Sequence, residues 1–258
     1  MPAIQVVLFD LGGTLLHYDQ PPERSFERLN AAALLALLKA AEATGAQTPD
    51  PELAVRAVGR MAAAIEAKSR RTFHSNTAET VIWDGLEAIG IRLPPAAWDA
   101  GLSAYYDTIA SAVSPVDGDA PGVLAGLVDD GRTLGLVSNT LWAPALHDRD
   151  LERFGLIEHL PVRVYSSVAG FIKPHPNIYR KALDALNVAP AEAVFVGDRL
   201  DVDVAGPQKI GMRAVLVDSP YRSDTEDPEV KPDGQIKTLD ELSALLDEWE
   251  RALEVTIP

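Results

Sequence analysis

Ile4-Gln5-Val6-Val7-Leu8-Phe9-Asp10-Leu11-Gly12-Gly13-Thr14-Leu15 is the stretch from which the fold can be read. Five of the six residues from Ile4 to Phe9 are apolar, the pattern of a strand buried on both faces in a parallel sheet. An aspartate and then two glycines stand where that strand ends. Open α/β sheets bind ligands outside the carboxyl ends of their strands. Asp10 there suits three roles: attacking a phosphorus or carbon centre, holding a metal, or capping the turn that follows. Asp before Gly is also ordinary turn chemistry, so the choice falls to residues elsewhere.

Outward from this strand, the chain turns helical as far as Val113. Ser25 to Ala43 carries Phe26, Leu29, Leu34, Leu37 and Leu38 at helical spacing and stops at Gly45. Asp50 and Pro51 open a second helix as N-cap and first-turn proline, with Val55, Val58, Met61 and Ile65 as its inner stripe. A third begins at Asn76, with Glu79 capping in return, and ends at Gly90. A fourth follows Pro94-Pro95, with Trp98, Leu102, Tyr105, Ile109 and Val113 inward. Four such helices on short loops describe a small bundle.

Beyond Pro115 the pattern alternates. Helices are expected from Asp119-Ala120-Pro121 to Gly131, from Pro176 to Asn187 and from Asp203 to Gly211. Between them lie the strands Thr133–Val137, Val162–Tyr165, Ala193–Val196 and Arg213–Val217. Alternation of this kind specifies βαβ units and a parallel sheet. A polar loop is expected over 218–231, then a helix from Thr238 with Glu241 completing a capping box. Residues 1–16 and 115–258 thus read as an α/β core, interrupted by a helical domain over 17–114.

Composition narrows the functions open to such a chain. At 258 residues and 47% hydrophobic it can bury a sizeable core. Its formal charge of −15 argues against nucleic acid or an anionic membrane as partner. The chain has no cysteine, which excludes disulfides, thiolate catalysis and cysteine-bound zinc. It shows neither a signal-peptide pattern nor an apolar run of membrane-spanning length, so a soluble cytoplasmic protein is expected.

Four clusters fall at the C-terminal ends of the expected strands: Asp10 to Thr14, Ser138-Asn139, Lys173-Pro174, and Gly197-Asp198 with Asp203. One at a time each has a bland reading. Ser138-Asn139 caps a turn, a lone lysine is solvated, and Asp198, Asp201 and Asp203 complement a helix dipole. Together they place nucleophile, hydroxyl, cation and metal-ligand types along one sheet edge.

With those residues in view, the chain resembles the haloacid dehalogenase superfamily, in the subclass with a helical cap inserted after the first strand. The resemblance is strongest where Val137-Ser138-Asn139, Phe154-Gly155-Leu156, Lys173-Pro174-His175-Pro176 and Val196-Gly197-Asp198-Arg199-Leu200-Asp201-Val202-Asp203 follow in order. It implies a doubly wound, Rossmann-like core and a magnesium-dependent phosphatase acting on a small phosphorylated metabolite. Asp10 would be nucleophile and metal ligand, and the Gly12 carbonyl and Asp198 would also hold Mg2+. Asp203 would ligate through water or orient Lys173. Gly13, Thr14, Ser138 and Asn139 would bind substrate, and Lys173 would neutralise the nucleophile and the transferring group. The Lys173–Pro174 bond is expected cis.

One position departs from the family pattern. Phosphatases of this family carry an acid–base Asp two residues after the nucleophile, where this chain has Gly12. Loss of a general acid–base costs about 10²–10⁴ in rate. Four other readings therefore stand beside the phosphatase: an impaired binding or regulatory protein, a carbon–halogen hydrolase, a carbon–phosphorus hydrolase using Lys39 or Lys68, and a sugar kinase. His17, Tyr18, Arg70, Arg71 and His74 are the polar residues suspected of setting the substrate.

Overall fold

The structure, a computed structural model, describes residues 3–18, 26–220 and 229–254. Ser25 and residues 221–228 of the expected loop lie outside these, as do the side chains of Phe26 and Leu253. The chain divides into two compact units, Met1–His17 with Pro115–Thr140 and Leu151–Pro258, and Tyr18–Ser114 with Leu141–Asp150.

The first unit is built on a six-stranded, wholly parallel sheet. Its strands are β1 (Val6–Phe9), β2 (Thr133–Ser138), β3 (Val162–Tyr165), β4 (Ala193–Gly197), β5 (Arg213–Val217) and β6 (Gly234–Ile236), in the order β3-β2-β1-β4-β5-β6. β1 is central, with Phe9 level with Leu136 of β2 on one side and Val196 of β4 on the other. Strand order reverses between β1 and β4, which makes the crevice at their carboxyl ends the place where such sheets bind ligands.

Every residue of β1 is buried, as a strand covered on both faces must be. Alternate side chains serve opposite faces. Val6, Leu8 and Phe195 of the sheet form one core cluster with Ile178, Tyr179, Ala182 and Leu183 of the helix Pro176–Leu186. The helices Ala120–Asp129 and Leu242–Glu254 also belong to this unit, with Leu124, Leu127, Leu242 and Leu246 buried.

The second unit contains the helices Phe26–Ala43, Pro51–Thr72, Ala78–Glu87 and Pro95–Ala110, and the described residues from 26 to 112 contain no strand. Leu34, Leu37, Ile82, Leu86, Tyr105 and Ile109 form its core, joined by Trp142 and Leu146 from the segment after β2.

Several local expectations are corrected. β6 was not expected, and it is three residues long with a single buried side chain, Ile236. The helix expected over 203–211 is instead a π-helical turn at Leu200–Val204 followed by the short helix Ala205–Gln208. Pro207 explains this, because a proline is tolerated only in the first turn of a helix. Thr77 rather than Asn76 caps the third helix, accepting from Thr80 N at 3.2 Å, while Asn76 donates to Ser69 Oγ at 3.1 Å. Thr238 makes no side-chain cap, and Glu241 accepts from the backbone of Lys237. In the second helix Ala54, Ala57 and Ser69 are buried, and the expected Val55 and Val58 are half-buried and pack against the same core. Asp50 caps that helix as expected, accepting from Leu53 N at 2.9 Å.

Candidate active site

Asp10 follows β1 and is fixed by its own N–H, which donates to Val196 O at 2.9 Å. The turn after it is tight. The N–H groups of Leu15 and Leu16 both reach Leu11 O, and Gly13 N donates to Leu16 O at 2.8 Å. Gly13 has φ +82°, and a Cβ there would run into the Asp198 carboxylate and come 2.9 Å from Ser219 Oγ. Only glycine meets both demands. Gly12 is exposed, whereas Thr14 is buried and its hydroxyl oxygen has no hydrogen-bond partner among the described residues.

Lys173 crosses from the loop after β3 to the centre of the site. Its ammonium lies 2.6 Å from Asp10 Oδ1 and 2.7 Å from Asp203 Oδ1, with the side chain only 1% exposed. The Phe195 ring sits 5.1 Å beneath the same nitrogen, within cation–π range. Burial alone would favour the neutral amine, but the two carboxylates outweigh it and hold the Lys173 pKa above its ordinary value.

Asn139, next to the buried Ser138, grips the Lys173 backbone from both sides. Its Nδ2 donates to Lys173 O at 3.0 Å, and its Oδ1 accepts from Lys173 N at 2.7 Å. The Lys173–Pro174 peptide is cis. Ser166 Oγ, which the sequence reading passed over, pairs with both the N–H and the carbonyl of Thr140 at 2.9 Å.

Asp198 and Asp203 complete a cluster in which one oxygen from each of Asp10, Asp198 and Asp203 lies within 4.8 Å of the others. Burial, reinforced by the charge of Asp10, pushes the Asp198 pKa up to about 6, against a hydrogen bond from Ser219. Asp198 Oδ1 is buried with no hydrogen-bond partner among the described residues. Burial also pushes Asp203 upward, opposed by the Lys173 ammonium. Both Asp203 oxygens are engaged as acceptors, Oδ1 from Lys173 and Oδ2 from Arg199 N at 3.1 Å.

Three carboxylates facing one ammonium leave an excess of negative charge that burial makes costly. Hard oxygen donors, together with an orphaned carboxylate oxygen, suit a divalent cation of the magnesium kind.

The residues expected along the sheet edge, Asp10, Ser138, Asn139, Lys173, Asp198 and Asp203, all belong to the first unit. Of the substrate suspects, Tyr18, Arg70, Arg71 and His74 belong to the second unit and His17 to the first. Arg70 is exposed and pairs with Glu66 at 2.7 Å, and His74 Nδ1 meets Thr72 O at 2.9 Å. Tyr18 OH meets His147 Nδ1 at 2.7 Å, and Lys39, Lys68 and Arg71 are exposed. His17 is buried in the first unit, and burial lowers its pKa. Phe195 and Ser219 were missed. Phe195 reads as core and Ser219 as loop, and no local signal marks either.

Comparison with known proteins identifies the family. The family model of haloacid dehalogenase-like hydrolases matches residues 4–211. The chain is 38% identical to a phosphoserine phosphatase of Thermus thermophilus over 128 residues, half of each chain. It is 30% identical to a ribulose-1,5-bisphosphate 5-phosphatase of Halopiger xanaduensis over 252 residues, 93% of this chain and 98% of that one. The chain therefore spans about half the length of the first relative and nearly all of the second. Among solved structures, a 2-haloacid dehalogenase of Pseudomonas syringae shares its fold with a TM-score of 0.67 at 23% identity, over 95% of this chain and 99% of that one. By family match and by fold, the chain belongs to the haloacid dehalogenase-like hydrolases.

Proposed function

We propose that this chain is a magnesium-dependent phosphatase of a small phosphorylated metabolite, working through an aspartyl phosphate at Asp10. The observation that carries the proposal is the buried Lys173 ammonium shared between Asp10 and Asp203. A carboxylate can approach a phosphate dianion only where fixed cations offset the repulsion. The relatives named as phosphatases support the same reaction class.

Asp10 attacks phosphorus, the bond to the leaving oxygen breaks, and water then cleaves the acyl phosphate to free Asp10 and phosphate. Lys173 holds the attacking carboxylate in place and balances charge on the phosphoryl oxygens. Asp203, with both oxygens occupied, orients Lys173. Ser138 and Thr14 present hydroxyls from the same sheet edge. Asp10, Asp198 and the Gly12 carbonyl would hold Mg2+, which when bound screens the phosphate and stabilises its equatorial oxygens.

The test is mass spectrometry after a burst with acetyl phosphate and Mg2+. A mass gain of one phosphoryl group on the peptide containing Asp10, absent from Asp10→Asn, is expected. No label under any condition refutes the covalent phosphatase. Gly12 favours one second reading, a family member that binds phosphorylated ligands and turns them over poorly, because no side chain stands where the acid–base group would be.

A further inference from the structure

We propose that Tyr179 is a positioning residue for this reaction, holding Lys173 and Asp203 against each other from beneath the site. This rests on the phosphatase reading above for its chemistry, although the packing it concerns stands independently. Tyr179 lies in the helix Pro176–Leu186, six residues beyond Lys173, and is wholly buried.

It makes two attachments. Its hydroxyl donates to Val202 O in the π-helical turn Leu200–Val204, one residue before Asp203. Its ring packs edge-to-face on Phe195, with centroids 5.5 Å apart, and the face of Phe195 lies 5.1 Å from the Lys173 ammonium. One side chain therefore braces both partners of the 2.7 Å pair, Asp203 through the backbone next to it and Lys173 through the aromatic ring below it.

Two further features fit this arrangement. Gly206 leaves the space into which the hydroxyl projects, since a Cβ there would collide with Tyr179 Oη and come 3.0 Å from Pro174 Cβ. A π turn is a rare, irregular piece of helix that is frequent at functional sites, and here one of its carbonyls, Val202 O, accepts from Tyr179. Burial and the nearby carboxylates hold the Tyr179 pKa well above the ordinary phenol value, so its hydroxyl keeps the proton it donates. A rigid support of this kind matters because small misplacements of reacting groups cost rate steeply.

The experiment compares the full-length wild type with Tyr179→Phe and with Tyr105→Phe, a control that removes a buried hydroxyl from the helical unit. Lysines are acetylated with an N-hydroxysuccinimide ester and read by peptide mass spectrometry, and turnover of acetyl phosphate is followed in parallel. Tyr179→Phe is expected to raise Lys173 labelling about fivefold relative to exposed Lys181, the weight of one buried hydrogen bond. Its kcat should fall by about five- to tenfold with KM almost unchanged, and Tyr105→Phe should move neither readout. Unchanged Lys173 labelling in Tyr179→Phe overturns the proposal, as does an equal rise in Tyr105→Phe or an unaltered kcat in an active variant. Selective labelling in a protein that never hydrolyses acetyl phosphate leaves Tyr179 in its positioning role and refutes the phosphatase reading instead.

Discussion

The Lys173 ammonium and the Asp203 carboxylate meet at 2.7 Å, and neither side chain is more than 1% exposed. Asp10 shares the same ammonium at 2.6 Å, so a single cation serves two buried acids. A pair withdrawn from water in this way survives only because attraction and hydrogen bonds together offset the desolvation, and removing one partner leaves buried charge behind.

Lys173→Met is accordingly expected to destabilise the α/β unit by about 3–5 kcal/mol at neutral pH, read by urea denaturation. The loss should shrink at acid pH, where the stranded carboxylates of the variant take up protons. Equal stability of variant and wild type at pH 7 would show that the acids carry no charge there.

Asp198→Ala should abolish Mg2+ binding measured by calorimetry, because it deletes the carboxylate whose Oδ1 has no hydrogen-bond partner among the described residues. Ser219→Ala removes a hydrogen bond that holds Asp198 and leaves the carboxylate in place. It should weaken binding by about tenfold, the lower end for a group supporting a metal ligand. Undiminished affinity in Asp198→Ala would move the metal elsewhere.

Much of this arrangement was legible in the sequence. β1 announces itself because burial on both faces leaves an unbroken apolar run, and the later strands alternate with helices of clear period. Candidate residues followed from their places at strand ends. What stayed hidden is non-local. Nothing around Asn139 says that its amide will grip the Lys173 backbone, and nothing distinguishes Phe195 from ordinary core until Lys173 lies over it. β6 is too short for a period, and its one buried residue, Ile236, follows a polar loop. The choice of Thr77 over Asn76 as cap was settled by Ser69, seven residues away, which takes the Asn76 side chain.

His147 predicts an acid-sensitive helical unit. It is 2% exposed, its Nδ1 meets Tyr18 OH, and burial lowers its pKa to about 4 against a small opposing pull from Asp148. In the unfolded chain a histidine titrates near ~6.5. The unfolded state therefore binds the extra proton first. The stability contributed by neutral His147 is complete above about pH 6.5 and is lost as pH falls towards about 4, up to about 3 kcal/mol in all. Denaturation followed by tryptophan fluorescence at pH 7 and pH 5 measures this. His147→Gln should flatten the dependence over that window, and an unaltered slope would assign it to other groups.

Gly12 sets the last prediction. An enzyme without an acid–base group should discriminate by leaving group. Acyl and aryl phosphates depart without a proton and should be cleaved, whereas alkyl phosphates such as sugar phosphates should react far more slowly. The same absence slows attack of water on the aspartyl phosphate, so labelled Asp10 should persist long enough to be seen by mass spectrometry. Gly12→Asp then becomes a gain-of-function test. Gly13 has φ +82° and could not take the change, but Gly12 is not among the positive-φ glycines and is exposed, so its backbone admits an aspartate. The new carboxylate should raise turnover of alkyl phosphates by about 10²–10⁴, equivalent to about 3–5 kcal/mol of barrier, while with acetyl phosphate it should leave the burst that labels Asp10 little changed and speed only the turnover that follows. It should also shorten the life of the labelled intermediate. Brisk hydrolysis of alkyl phosphates by the wild type would instead mean that another group supplies the proton, with His17 of the same unit the first to replace. A variant that gains nothing while Asp10 still labels would show that position 12 does not face the leaving oxygen in this chain.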